Sequence, residues 1–110
     1  KQTKRRTMRN LFTYGTLQKH DVQQELVGTV QDGVVEAIEG YVVVNDYFVD
    51  DDFYPRLTPF LNGIVYGRVM QFDDEQIAIL DEYESEAYER VVVRTKSGKE
   101  VEVYMPVTFN

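Results

Sequence analysis

Leu11-Phe-Thr-Tyr-Gly-Thr-Leu-Gln18 is the stretch on which the reading of this chain turns. A short apolar run with strand-like alternation stops at Tyr14-Gly15-Thr16, which reads as a strand emptying into a tight glycine loop. Glycine lets consecutive backbone N–H groups turn toward one point and lets a ligand approach with no Cβ in the way. The N–H groups of Gly15, Thr16 and Leu17 form a set of donors suited to a carboxylate. A glycine kept for turn geometry alone gives the same local pattern, so this segment does not decide the matter by itself.

Working outward, strands dominate. Leu11–Tyr14 is the first. Val27–Val35 and Gly40–Val44 are rich in β-branched residues, Ile64–Phe72 follows, and Lys96–Lys99 joins Tyr88–Thr95 to Glu100–Pro106 as a hairpin. His20–Leu26 is short and polar, one helical turn or a loop. Asp50–Arg56 reads as a loop, with Pro55 holding Tyr54 extended. A small closed or nearly closed barrel removes the exposed edges such strands would leave. The expected class is α+β, a small mixed β-barrel with one principal helix.

That helix begins at Asp73 or Asp74, whose carboxylates suit an N-cap and first turn. At about 100° per residue, Glu84 falls roughly 20° from Ile77, on the face that Ile77 and Leu80 bury. A glutamate there sits at the disfavoured end of the helix dipole, and burial raises its pKa. Both effects move a carboxyl toward proton exchange near neutral pH, as a general acid/base requires. The competing account is a frayed last turn with Glu84 in water or paired to Arg90 or Arg94. Asp81, about 40° from Ile77, is the rival carboxylate, and its shorter side chain suits a structural bond better than proton transfer.

Composition narrows the chemistry. A length of 110 residues suits one domain with a single core. There is no cysteine, which excludes disulfides, thiolate metal sites and a cysteine nucleophile. His20 is the only histidine, so a histidine-based triad or zinc site has no second member to draw on; its polar surroundings place it on the surface. Asp46 and Asp50–Asp52 lack the spacing and closing glutamate of an EF-hand and read as a solvated acidic loop. Tyr41, Tyr47, Tyr54, Tyr66 and Tyr104 read as core or rim residues, whereas Arg56 is a candidate to meet a second carboxylate. No metal is expected.

Charge is unevenly placed. Five of the twelve basic residues lie within positions 1–9 and no acid precedes Asp21, so residues 10–110 carry seven basic groups against nineteen acidic. An acidic body argues against general nucleic-acid binding, whose affinity comes from phosphate neutralisation. Residues 1–9 read as a basic, flexible arm on a single domain spanning 10–110, with Met8 a candidate natural start. No apolar run approaches the ~18 residues of a membrane span and no signal-peptide pattern is present. The expectation is a cytoplasmic protein without a membrane partner; the sequence sets no oligomeric state.

Four ordered segments resemble the gamma-glutamylcyclotransferase-like superfamily, in the branch that includes gamma-glutamylamine cyclotransferase and the butirosin-pathway cyclotransferase. They are Phe12-Thr-Tyr-Gly-Thr-Leu17; Gly40-Tyr41 with Phe53-Tyr-Pro-Arg-Leu57; Gly63-Ile-Val-Tyr-Gly-Arg-Val69; and Leu80-Asp-Glu-Tyr-Glu84 followed by Tyr88-x-Arg90 and Val91–Val93. Together they span residues 11 to about 105. Thr16 replaces the commoner Ser of the loop, and Arg68 stands where Glu is frequent.

The resemblance implies a compact fold around a small barrel, with a cavity where the glycine loop meets the helix end. It implies Glu84 as the catalytic residue and Tyr14, Gly15, Thr16, Leu17 and Tyr88 as substrate-binding, with Asp81 and Arg56 as further possibilities. The implied partner is a small-molecule gamma-glutamyl substrate, cyclised to 5-oxoproline with release of an amine, and no cofactor. Two other readings stand beside this one: a non-catalytic small-molecule binder, and a protein-interaction member of the same fold using its basic arm.

Overall fold

A computed structural model describes residues 7–49 and 51–107. Strand β1 spans Met8–Thr13 and is followed by a 3₁₀ turn at Thr16–Gln18 and helix α1 at His20–Val27. Two long strands come next, β2 at Val34–Val49 and β3 at Asp52–Asp73. Helix α2 covers Asp74–Glu84, and a 3₁₀ turn at Ser85–Ala87 leads into β4, Tyr88–Arg94, and β5, Glu100–Pro106. The five strands form one mixed sheet in the order β2-β3-β1-β5-β4, parallel only between β1 and β5.

The sheet curls into a half-barrel whose edges approach without sharing a continuous ladder. Lys96 N–H donates to the Ala37 carbonyl at 2.7 Å, tying the β4–β5 turn to β2. Tyr47 Oη donates to the Ala87 carbonyl at 3.0 Å, and its ring meets that of Tyr88 edge-on. Curvature comes from two register shifts between β2 and β3. At one of them Gly40 takes φ +88°, a conformation that costs glycine little.

Alternation on β1 serves both layers of the core. Leu11 joins Leu17, Met70, Phe72, Ile77, Leu80 and Tyr104 beneath α2. Phe12 points the other way, into the curl, with Ile38, Leu57, Val65, Val69, Val101 and Val103. Among the described residues no helix is long and apolar enough to cross a membrane.

Helix α2 starts where its sequence indicates. The Asp73 side chain accepts from Gln76 N–H at 2.9 Å, and the Gln76 side chain accepts from Asp73 N–H at 3.0 Å, a reciprocal capping box. Asp73→Ala is expected to cost about 1 kcal/mol, read as a lower denaturant midpoint with an unchanged slope.

Three local expectations are corrected. Residues 20–27 form a full helix, closed by Gly28 at φ +75°. Val22, Leu26 and Val27 pack against the core, so burial supplies what polar composition conceals. Strand β2 begins only at Val34, because the buried Gln23 amide captures the backbone of Gln31 through two hydrogen bonds and holds the preceding segment as a loop. Residues 52–56 belong to β3, with Pro55 placed at a register shift, where a missing N–H is tolerated. His20 is exposed, as its polar surroundings indicate, and lies 2.7 Å from Asp32. Of the acidic loop, Asp50 lies outside the described residues and Asp46 pairs with Arg56.

Of the basic arm, residues 1–6 lie outside the described residues. Arg9 is part of β1 and reaches Asp74 at 2.8 Å and Glu102 at 3.2 Å.

Candidate functional site

Strand β1 delivers Thr13 and Tyr14 to the mouth of a cavity of about 210 Å³. The chain turns there. Gln18 and Lys19 N–H groups donate to the Gly15 and Thr16 carbonyls at 3.1 and 3.0 Å, which leaves the first N–H groups of the turn outside its own bonds. The turn is fastened from behind by Gln18 Nε2, which donates to the Thr13 carbonyl at 2.8 Å. Tyr14, Gly15, Thr16 and Leu17 all line the cavity. A Cβ on Gly15 would lie 3.6 Å from Pro55 Cγ, an ordinary contact, so packing alone does not require glycine here.

Opposite this loop stands the last residue of α2, Glu84. It is half-buried, and its carboxylate has no hydrogen bond or ion pair to the described residues. Burial pushes its pKa up to about 7. Neither arginine considered for it is available: Arg94 donates to the Gly98 carbonyl, and Arg90 is held by Asp81 and Glu102. The next residue, Ser85, has φ +65° and ψ −170°, a region that L-residues rarely adopt. This sharp turn ends α2 at Glu84.

Three tyrosines frame the carboxyl. Tyr88 Oη donates to the Pro55 carbonyl at 2.7 Å, and Tyr14 Oη donates to the Tyr104 carbonyl at 2.8 Å. Burial, with the nearby Glu84 charge adding to it, pushes the Tyr88 hydroxyl up to about 12 and Tyr14 higher still. Both hydroxyls therefore stay protonated and act as fixed donors to backbone. Tyr104 is buried, and burial together with Asp81 raises it further.

The other two candidates lie elsewhere. Asp81 is outside the cavity lining. Its carboxylate takes Arg90 in two bonds, 2.7 and 3.0 Å, and the Tyr104 hydroxyl at 2.7 Å. The Arg90 bonds first, and Tyr104 with them, hold it below the usual carboxylate range. Arg56 is also outside the lining, and its guanidinium is bound to Asp46 and Thr58.

Sequence reasoning assigned no site role to several walls of the cavity, Pro55, Tyr83 and Ser85, and classed Tyr54 and Tyr104 only as core or rim. Tyr83 Oη lies 3.4 Å from Thr16 Oγ1, so α2 and the glycine loop touch across the mouth. No metal-binding group of His, Cys, Asp and Glu occurs among the described residues. The cavity lining described here has one ionisable acid, no basic side chain, and a ring of phenols.

A family model described as gamma-glutamyl cyclotransferase, AIG2-like, matches residues 11–108. The curated AIG2-like protein C of Arabidopsis thaliana is 30% identical over 102 residues, 87% of this chain. The chain spans only 58% of that relative's length. A solution structure of a protein from Arabidopsis thaliana matches with a TM-score of 0.77 at 23% identity, covering 96% of this chain and 66% of that one. An uncharacterized Pyrococcus horikoshii protein gives 0.63 at 26% identity, covering 89% and 77%. A solved structure named gamma-glutamyl cyclotransferase gives 0.73 at 16% identity, covering 94% and 69%, a likeness of fold alone.

Proposed function

Since the chain belongs to the AIG2-like gamma-glutamyl cyclotransferase family, we infer that its cavity cyclises a small gamma-glutamyl amine or amide to 5-oxoproline. The substrate's own α-amine attacks its γ-carbonyl, a five-membered ring closes, and the γ-carbon–nitrogen bond to the leaving amine breaks. The attacking nitrogen gives up two protons on its way from ammonium to ring N–H, one before the attack and one from the tetrahedral intermediate, and the leaving nitrogen takes up two and departs as an ammonium ion. Glu84 carries these transfers, as base toward the attacking nitrogen and as acid toward the leaving one.

The observation that carries this reading is the unpartnered, half-buried Glu84 carboxyl, its pKa near 7, facing the glycine loop across the cavity. A proton carrier works best when its pKa lies near the working pH. The N–H groups of Gly15, Thr16 and Leu17 are the donors for the glutamyl α-carboxylate, since the lining described here offers no cationic side chain. Tyr14 and Tyr88 shape the walls. Holding the substrate curled does most of the work, because well-oriented intramolecular nucleophiles reach effective molarities of about 10⁵–10⁸ M. These steps call on no metal or organic cofactor.

The test is 5-oxoproline release from a panel of gamma-glutamyl amines, gamma-glutamyl amino acids and glutathione. Turnover of at least one member is expected. Silence across the panel, combined with thermal stabilisation by the same compounds, would replace the enzyme with a binder of gamma-glutamyl groups.

A further inference from the structure

Asp81 sits three residues before Glu84 on α2, so the two side chains project from neighbouring parts of one helix face. Its contacts tie that end of the helix to two strands. Arg90 on β4 grips it through Nε and Nη2, and Tyr104 on β5 donates its hydroxyl. Arg90 also reaches Glu102 on β5, which Arg9 on β1 bonds in turn. The Asp81 backbone is engaged as well, its carbonyl accepting from the Ser85 N–H at the turn that ends the helix.

Tyr104 closes the circuit. While its hydroxyl holds Asp81, its carbonyl accepts from Tyr14 Oη, at the start of the glycine loop. The two halves of the cavity, helix end and loop, are thus referenced to one residue of β5. Isolated exposed ion pairs contribute little, but a bidentate arginine–carboxylate pair inside a network is the kind that fixes geometry.

We propose that Asp81 is a positioning residue, which with Arg90 and Tyr104 clamps the end of α2 so that Glu84 faces the glycine loop. Asp81 touches neither the cavity nor a substrate within it; it acts through Glu84. The proposal rests on the proton-transfer role given to Glu84 for its kinetic consequence, and on geometry alone for the rest. Losing the clamp lets the helix end swing outward and water reach the Glu84 carboxyl. The other ionisable groups lining the cavity with Glu84 are Tyr14 after β1, Tyr54 on β3, Tyr83 on α2 itself, Tyr88 on β4 and Tyr104 on β5, all phenols. Of the clamp's own charges, Asp81 and Arg90 line, with Glu89, an adjoining depression that shares Ser85 and Tyr88 with the cavity, while Glu102 and Arg9 extend the network from there.

The test is a carbon-detected NMR titration of the Glu84 side-chain carboxyl, assigned by its absence in Glu84→Gln, in wild type, Asp81→Asn and Tyr104→Phe. Tyr104→Phe changes no formal charge, so it separates a swung helix from the loss of a neighbouring negative charge. Both variants are expected to move the Glu84 midpoint from near 7 toward the ordinary glutamate range. Where turnover is measurable, kcat should fall roughly 10–100-fold, as a displacement of about 1 Å produces, with KM little changed. Arg90→Lys, which keeps the charge but loses the bidentate grip, should give a smaller change of the same sign and serves if the other variants fold poorly. Midpoints unchanged in the folded variants would overturn the proposal. Because the titration needs no substrate, moved midpoints in a protein silent on every gamma-glutamyl compound would support the clamp and refute only the cyclotransferase reading.

Discussion

Glu84→Gln is expected to reduce 5-oxoproline release by about 10²–10⁴-fold, the usual contribution of a positioned acid/base, and at the same time to make the protein more stable above neutral pH. Glutamine has nearly the same shape and lacks only the ionisable proton, so a large loss of turnover in a folded variant would point to proton transfer. The stability gain follows from the raised pKa. The folded state holds the Glu84 proton up to about pH 7, whereas the unfolded chain releases it near 4.5. Between those values the folded state binds more protons, so stability falls as pH rises and levels off above 7. The conversion is 1.36 kcal/mol per pH unit, and partial access of water reduces the total to about 1–2 kcal/mol. The denaturant midpoints of the two proteins should therefore differ little at pH 5, and the variant should gain relative to wild type by pH 8. A gap that does not change between pH 5 and pH 8 would mean that water reaches the carboxyl freely. In wild type, kcat/KM should rise through a limb near pH 7 as Glu84 becomes a base.

How much of this was legible beforehand differs from residue to residue. The helix and its acid were readable because the evidence is local: Asp73 with Gln76 three positions later announces the cap, and 100° per residue carries Glu84 onto the Ile77 face. The glycine loop was legible for the same reason. What stayed hidden depends on contacts distant in sequence. Helix α1 looks polar until Val22, Leu26 and Val27 meet the core. The segment before Val34 is β-branched, yet Gln23 takes the backbone bonds that a strand would need. Residues 52–56 look like a loop around Pro55, but the β2 register runs to Val49↔Asp52 and places the proline at a shift. Tyr54 and Tyr83 fall within the ordered segments but were not marked as walls, since phenols near a cavity and phenols on a surface look alike until the sheet curls. Arg56 looked free for a ligand because its partner, Asp46, lies across a hairpin whose pairing no local pattern gives. The acid and the loop were thus visible, while the walls and the clamp were not.

A large effect on the fold is expected of Gly67→Ala, at a position with no direct part in the chemistry. Gly67 is on β3, opposite Glu36 of β2 and beside Arg68, the partner of Thr13 on β1. A Cβ there would lie 2.3 Å from the Thr13 carbonyl oxygen and 2.7 Å from Phe12 Cζ. The first obstacle is backbone, which no rotamer change can clear, and the second is a buried ring in the core of the curl. Strand β1 would have to move, at about 2–3 kcal/mol, the typical cost of overpacking a closed interior. The displacement would not stop at the strand. The Thr13 carbonyl that must shift is the acceptor for Gln18 Nε2, the bond that fastens the glycine turn. A folded Gly67→Ala protein is therefore expected to lose turnover as well as stability, although the site of substitution is outside the cavity lining. Gly15→Ala supplies the opposite case. Its Cβ meets only an ordinary contact with Pro55, so stability should change by no more than about 0.5 kcal/mol, while a methyl in the anion-holding loop should raise KM. Thermal and denaturant melts of the two alanine variants, beside their 5-oxoproline kinetics, separate a glycine required by strand packing from one required by the substrate. Equal stability of Gly67→Ala and wild type would mean that β1 and β3 are not held as closely as the curl of the sheet requires.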